Sequence, residues 1–403
     1  MPNALAQRKV AIVSNELEIN LRGISADRVV ALAPRITWPP LNLASEVNPR
    51  DVVELRVSFA KDLSELNQRL MTYVPALTSL VNSLGGVTYG GSSVLSDTSD
   101  LQPTIYRTTL LSQQFARSFM DISSQQIVLG VTSDRLGIEL HNFFRDIGPV
   151  LVALTASSRF ESSNNSSGFN DSGLESRRMG KYEEGLARYP RSTIEVPRLE
   201  STDHYEDHRK IISDQVKLNL SRGTMDANYS ILSSSGHSTF DLLAPHQIFW
   251  HVRPRPDLAG YGTSFVLEVR SPDLPTTIIG MQTLNAFVIG LAYHIEKYGA
   301  DSLPRLQDTD FRDMILASKS GLNTRISGSD LRTMAAELWI HAESALISGG
   351  YDRHTIHQYS AEMGALLEHG SYSQHLATMV REGHITHSTE MVNTLARSLR
   401  PSP

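Results

Sequence analysis

Four stretches of the chain alternate apolar and polar side chains with the two-residue period of a strand. In Thr263–Asp273, Phe265, Leu267 and Val269 alternate with Ser264, Val266, Glu268 and Arg270, and Pro272, which has no N–H for a ladder, ends the run. Val10–Leu21 puts Val13, Leu17, Ile19 and Leu21 on one parity and Ser14, Glu16, Glu18 and Asn20 on the other. Asp51–Ala60 sets Val53, Leu55, Val57 and Phe59 against Glu54, Arg56 and Ser58. Ser124–Val131 sets Ile127, Leu129 and Val131 against Gln126, Val128 and Gly130. Each strand thus offers one apolar wall to a core and turns its other parity away from it. In three of them that other face carries carboxylates or arginines, and the Glu16/Glu18 pair spaces two carboxylates roughly 7 Å apart along a strand.

Helical periods follow. Leu63, Leu66, Leu70, Val74, Leu77 and Val81 predict a helix that Pro75 kinks or breaks. A helix over Thr108–Met120 precedes the third strand, and a long buried one over Arg135–Ala156 is interrupted near Gly148-Pro149. From Pro275 onward the pattern is helical, with candidates at Ile278–Tyr298, Asp308–Ser318, Ser329–Ser348, His354–His369 and Ser388–Leu399. Between the elements lie a stiff proline-rich connection at 34–50, a glycine-rich one at 85–103 and a Ser/Asn/Gly run from Ser157 that is too polar to pack and reads as a mobile loop. The glycines of 85–103 lack the Lys-Ser/Thr ending of a phosphate loop. A second Ser/Gly run at Ser233–Thr239 leads to a short strand over Gln247–Arg253, which ends at Pro254 and pairs with Thr263–Asp273 through a turn at Leu258–Gly262.

Composition narrows the function classes. The 403 residues carry a net charge of −6, which argues against a protein that lives on bulk nucleic acid or an anionic membrane surface. There is no cysteine, so thiolate metal sites, disulfides and a cysteine nucleophile are excluded. The N-terminus shows no secretory core, and Ile278–Tyr293, interrupted by Gln282 and Asn285, falls short of a bilayer span. The expectation is a cytoplasmic protein with no membrane or nucleic-acid partner; a homo-oligomer stays open. His204 and His208 have metal-ligand spacing, but Asp203, Glu206 and Asp207 beside them read as a solvated face.

Four separated segments resemble one family. S-N-E-L-E-I-N-L resembles the G-x-E-x-E opening of the glutamate–cysteine ligase superfamily, which includes the bacterial carboxylate–amine ligases. V-A-L-T-A-S-S-R-F-E resembles its A-L-x-A-N-S-P-F segment, and G-L-E-S-R-R-M its S-x-R-M motif with Arg178 in the arginine place. I-F-W-H-V-R-P-R-P followed by F-V-L-E-V-R-S-P-D resembles its closing strands, where E-V-R-x-x-D is the most specific piece. The likeness runs from about Val10 to Ala292. Ser14 departs from the family's glycine, Arg159 from its proline, and Q-I-V-L-G from the H-V-H-V-G of many relatives.

The resemblance implies an α+β fold: a curved antiparallel sheet with helices on its outer face, a catalytic part over 1–300, and a helical part over 301–403 packed on it. It implies ATP-dependent joining of a carboxylate to an amine through an acyl-phosphate, acting on small amino-acid substrates. Glu16, Glu18, Glu54 and Glu268, with Gln126 as a carbonyl ligand, would hold Mg2+, which takes hard oxygen donors. Arg270 and Arg178 would hold the transferring phosphate or the developing oxyanion, Arg253 the nucleotide or the substrate carboxylate, and Lys181 the nucleotide. The alternative is a non-catalytic relative that binds nucleotide or amino acid, or serves as a partner subunit. Without the resemblance, alternating Glu and Arg is an ordinary wet sheet face. On the catalytic reading, Glu268→Gln abolishes turnover and leaves the melting temperature nearly unchanged.

Overall fold

The computed structural model describes residues 8–36, 41–45, 52–92, 123–162, 168–186, 196, 198–201, 251–255 and 262–399. In chain order they form β1 (Val10–Arg22), α1 (Ala26–Ile36), β2 (Leu43–Ser45), β3 (Val52–Ala60), α2 (Leu63–Ser83), β4 (Val87–Tyr89) and β5 (Gln125–Val131). Next come α3 (Asp134–Asp146), α4 (Gly148–Thr155), β6 (Phe160–Ser162), β7 (Phe169–Asp171), α5 (Arg177–Leu186), β8 (Val252–Pro254) and β9 (Phe265–Val269). The chain ends with α6 (Ile278–Tyr298), α7 (Phe311–Ser320), β10 (Arg325–Ile326), β11 (Ser329–Asp330), α8 (Leu331–Ser348), α9 (Arg353–His369), α10 (Tyr372–Arg381) and α11 (Ser388–Ser398).

Seven strands form one open sheet in the order β2-β3-β1-β5-β9-β8, with β4 paired to the last residues of β1. Every pair in it is antiparallel. The apolar parities assigned from sequence are the buried ones: Leu17 and Ile19, Val53 and Leu55, Ile127 and Leu129, Leu267 and Val269 all lie in the main core. Helices α2, α3 and α6 cover that face. The fold is therefore α+β, with helices on one side of the sheet and the charged parity on the other. In β1 the register against β3 shifts between Val13 and Asn15, and the Ser14 hydroxyl donates to the Val57 carbonyl at 2.6 Å across that irregularity.

Helix α6 is 21 residues long and apolar enough to cross a membrane by length and composition, so the expectation that it falls short is corrected. Yet 94% of its apolar window is buried inside the protein, with α8 and α9 packed directly on it. A second apolar cluster joins Tyr89, Phe160, Leu376, Ile385 and Leu395, tying β4 and the β6–β7 hairpin to α10 and α11.

Other expectations need correction. Pro75 leaves α2 a single helix rather than two. The connections at 34–50 and 85–103 each contain a sheet strand, β2 and β4, too short at three residues to show a period. The polar run after Ser157 includes the β6–β7 hairpin, pinned because Arg159 donates to Asp171 at 2.9 and 3.0 Å and to Glu175 at 3.0 Å. The expected helix over 108–120, the His204/His208 segment, the Ser233–Thr239 run and residues 247–250 lie outside the described residues.

The break between α3 and α4 falls where Gly148-Pro149 was expected to place it, and Pro149, without an N–H, is tolerated in a first turn. His251 fills the joint: its Nε2 donates to the Arg145 carbonyl at 3.1 Å, and a Cβ on Gly148 would meet the ring at 2.7 Å. Burial is the main cause that pushes this imidazole from 6.5 down to about 4. The unfolded chain takes up that proton near 6.5 while the folded one refuses it until about 4. Stability is therefore full above pH 6.5 and falls as the pH drops to about 4, by about 3 kcal/mol. His251→Gln, which keeps an N–H for Arg145, should flatten this limb in denaturant titrations at pH 7 and 4.5. A limb of the same depth in the variant would assign it to other groups.

Candidate active site

Strand register sets the charged parity in rows. One row runs Arg56 on β3, Glu16 on β1 and Gln126 on β5. The next sets Glu54 on β3 directly opposite Glu18 on β1. A third runs Ser14, Val128, Glu268 and Arg253 across β1, β5, β9 and β8. Carboxylates 252 residues apart in sequence, Glu16 and Glu268, thus share one face, and their charges act on each other.

The face divides into two halves. On the β8–β9 side Glu268 is fully buried and ringed by arginines. Arg253 Nε donates to Oε2, Arg255 donates to Oε1 at 3.1 Å, and Arg270 Nε lies 3.6 Å from Oε2. Burial is the largest influence on this carboxyl and raises it, but the three guanidiniums together hold it below the ordinary glutamate value. Three positive charges around one negative leave this half basic. Glu268 was expected to be a metal ligand; in this structure both of its oxygens accept from arginines.

On the β1–β3 side the balance is acidic. Glu54 is buried and paired with Arg56. Glu18 accepts from the Ser124 hydroxyl at 2.7 Å and from the Gln126 amide at 3.1 Å. Like charges directly opposite on neighbouring strands are destabilising, so Glu18 facing Glu54 is a cost that a bound cation would offset. The Glu16 carboxylate makes no hydrogen bond or ion pair within 4 Å among the described residues. Burial, and then the charge of Glu268, push it above the ordinary glutamate value, although Arg255, Arg56 and Arg253 pull the other way.

Gln126 joins the two halves. Its carbonyl accepts from Arg270 Nε at 3.2 Å while its amide donates to Glu18 and, at 3.3 Å, to Ser124 Oγ. Gln126 was expected to offer its carbonyl to a metal; in this structure that carbonyl faces the Arg270 guanidinium. Among the described residues no three His, Asp or Glu side chains converge into a ready-made metal cage.

Arg178, expected on a phosphate, is 2% exposed, and its guanidinium donates to the main-chain carbonyls of Ser271 at 3.0 Å and Arg270 at 2.8 Å. It also faces Asp273 at 3.8 Å. Asp273 gathers the motifs: it accepts from Ser157 N at 3.0 Å, Ser158 Oγ at 2.8 Å and Ser176 Oγ at 3.0 Å. Three of the four sequence segments that carry the family likeness therefore meet at one buried carboxylate, and Arg178 holds the chain that carries Arg270. Lys181, one turn along α5 from Arg177, faces Glu161 of the hairpin at 3.7 Å, and Arg177 reaches the same carboxylate at 3.4 Å.

Arg255 and Asp273 were not among the residues expected to form the site. Both had a signal: Arg255 shares the parity of Arg253 in R-P-R-P, and Asp273 closes E-V-R-x-x-D.

Solved structures share this arrangement of elements. The glutamate–cysteine ligase of Francisella tularensis in complex with AMP superposes with a TM-score of 0.64 at 12% identity, covering 97% of this chain and 88% of that one. A bifunctional glutathione synthetase from Pasteurella multocida gives 0.57 at 11%, covering 97% of this chain and 51% of that one. The complex of the prokaryotic ubiquitin-like protein Pup with its ligase PafA gives 0.50 at 12%, covering 97% and 72%. At such identities the likeness is one of fold. No curated protein matches the sequence significantly. The pattern of glutamate–cysteine ligase family 2, however, matches residues 12–393, and the chain belongs to that family. It is an ATP-dependent carboxylate–amine ligase.

Proposed function

We propose that the chain activates the carboxylate of a small amino-acid substrate such as glutamate with ATP and passes the acyl group to an amine. The observation that carries this reading is the division of one sheet face into an acidic half (Glu16, Glu18, Glu54) and a basic half (Arg253, Arg255 and Arg270 around Glu268).

A carboxylate is a poor electrophile. Attack of its oxygen on the terminal phosphorus of ATP releases ADP and gives an acyl-phosphate; the amine then attacks the acyl carbon and inorganic phosphate leaves. Charge accumulates on phosphate oxygens throughout, so the site must hold anions and cations side by side. The acidic half fits Mg2+, because Glu16 is an unsatisfied carboxylate beside the Glu18–Glu54 pair and the ion needs only a few protein oxygens besides phosphate. Mg2+ bound there would neutralise phosphate charge. Arg270 and Arg253, with Arg255, supply planar forks for phosphate or substrate carboxylate oxygens. Lys181 keeps the nucleotide-contact role assigned from sequence. Residues 301–403 would act as a buttress for a catalytic unit spanning 1–300, in the cytoplasm.

The test is ADP release from ATP and Mg2+ across a panel of amino-acid pairs, with mass-spectrometric detection of the amide. ADP release that depends on both partners and yields one amide product supports the reading. Bound nucleotide with no turnover across the panel would instead mark a non-catalytic relative.

A further inference from the structure

Four amide side chains stand at apolar positions: Asn15 on β1, Asn67 on α2, Gln125 on β5 and Asn285 on α6. All are buried, three of them completely. They form one network. Asn285 Nδ2 donates to Asn15 Oδ1 at 2.8 Å and to Asn67 Oδ1 at 3.0 Å, and Gln125 Nε2 donates to Asn285 Oδ1 at 2.9 Å. Asn15 and Gln125 are the chain neighbours of Glu16 and Gln126, pointing to the opposite face of the sheet.

We infer that Asn15, Gln125 and Asn285 form a register pin that sets β1 against β5 and thereby places Glu16 and Gln126 on the far side, a role that rests on the reading of that face as the ligase site. The physical need is specific. A slip of one residue would turn every apolar side chain outward and is forbidden by burial. A slip of two keeps the parity, and a wall of Val, Leu and Ile discriminates poorly between such registers. β1 is also irregular between Val13 and Asn15 against β3 and between Val10 and Ile12 against β5, so it needs a fixed point near Asn15. A buried amide left without its partner costs far more than a shifted methyl, so a polar contact sets register where apolar packing does not. In the observed register Asn285 bonds Asn15 and Gln125 at once, and Gln125 Nε2 also donates to the Met281 carbonyl at 3.1 Å, while its Oε1 stays buried without a partner among the described residues. Asn15 Nδ2 also donates to the Gln126 carbonyl at 3.4 Å, crossing between the two strands. These are positioning residues on the face away from the charged rows.

The test compares Asn285→Leu with Asn67→Leu. Among the described residues the Asn67 side chain bonds to groups on helices, namely Asn285, the Gln282 carbonyl and Tyr359. Asn285→Leu should lose about 100-fold in kcat, the scale of a 1 Å misplacement, with little change in KM for ATP. Its amide exchange should rise in β1 and β5 in particular. Asn67→Leu should lose stability comparably while keeping kcat and the strand protection. Equal kcat in the two variants, or exchange that rises evenly over the molecule in both, would overturn the pin. Should Asn285→Leu fail to fold, Asn285→Asp makes the same comparison, since it keeps the acceptor for Gln125 and sets an oxygen against Asn15 Oδ1. Exchange needs no turnover, so an inactive wild type would sink the ligase reading and leave the exchange comparison to decide the pin.

Discussion

Glu268→Gln should lose both turnover and stability, where the alternation in sequence alone pointed to a loss of turnover with little change in melting. The difference comes from what surrounds the carboxylate. Glu268 is fully buried and accepts from Arg253 and Arg255, with Arg270 at 3.6 Å. Removing its charge strands three guanidiniums in a poorly solvated place, and breaking such a buried pair costs about 3–5 kcal/mol. Glutamine keeps one acceptor oxygen, so about 3 kcal/mol is the expected loss in denaturant unfolding at pH 7. The sign with pH also follows. The folded carboxyl lies below its ordinary value of 4.5, so its stabilisation is present above 4.5 and is lost as the pH falls through the lower folded value. The variant should therefore lack this part of the acid limb. An unchanged midpoint and an unchanged acid limb would mean that the arginines do not depend on Glu268.

That contrast shows where sequence reading stops. Alternation in β1, β3, β5 and β9 was legible because a sheet with one covered face imposes a period of two, and the buried parities matched except at the end of β3, where the pairing shift buries Ala60 in place of Phe59. Alternation places Glu268 and Glu16 on the charged face, but spacing says nothing about whether a carboxylate there meets a cation or three guanidiniums. Those guanidiniums are close in sequence, Arg253 and Arg255 on and just after the neighbouring β8 and Arg270 two residues beyond Glu268, but only the side-chain geometry shows that all three turn onto the one carboxylate. Arg178 was legible as a motif residue, yet two of its hydrogen bonds go to main-chain carbonyls, which no residue pattern records. Strands β2 and β4 were hidden by length, since three residues carry no period. The amide network left a different trace: Asn15, Asn67 and Asn285 each interrupt an otherwise apolar pattern. Such interruptions read as defects in a strand or helix taken singly. They become a contact only when the elements are packed together.

Glu16→Gln should separate stability from activity in the other direction. Glu16 has no hydrogen bond or ion pair among the described residues and sits above the ordinary glutamate value of 4.5, chiefly through burial and then through Glu268. A raised carboxyl contributes stability that is present below the unfolded value and is lost as the pH rises through the folded one. At pH 7 the ionised Glu16 is therefore a liability to the fold, and glutamine removes it at the same volume. The variant should unfold at equal or higher denaturant, by about 1 kcal/mol for each pH unit of the displaced titration. Turnover should nevertheless fall by about 100-fold or more, as expected when charge stabilisation is taken from a phosphoryl-transfer site. If Glu16 holds the cation, excess Mg2+ should recover part of that loss, and the wild-type rate should fall with pH as the raised carboxyl protonates. A variant that is less stable yet fully active would make Glu16 a structural group, and the acidic half of the face would then need another owner for the ion.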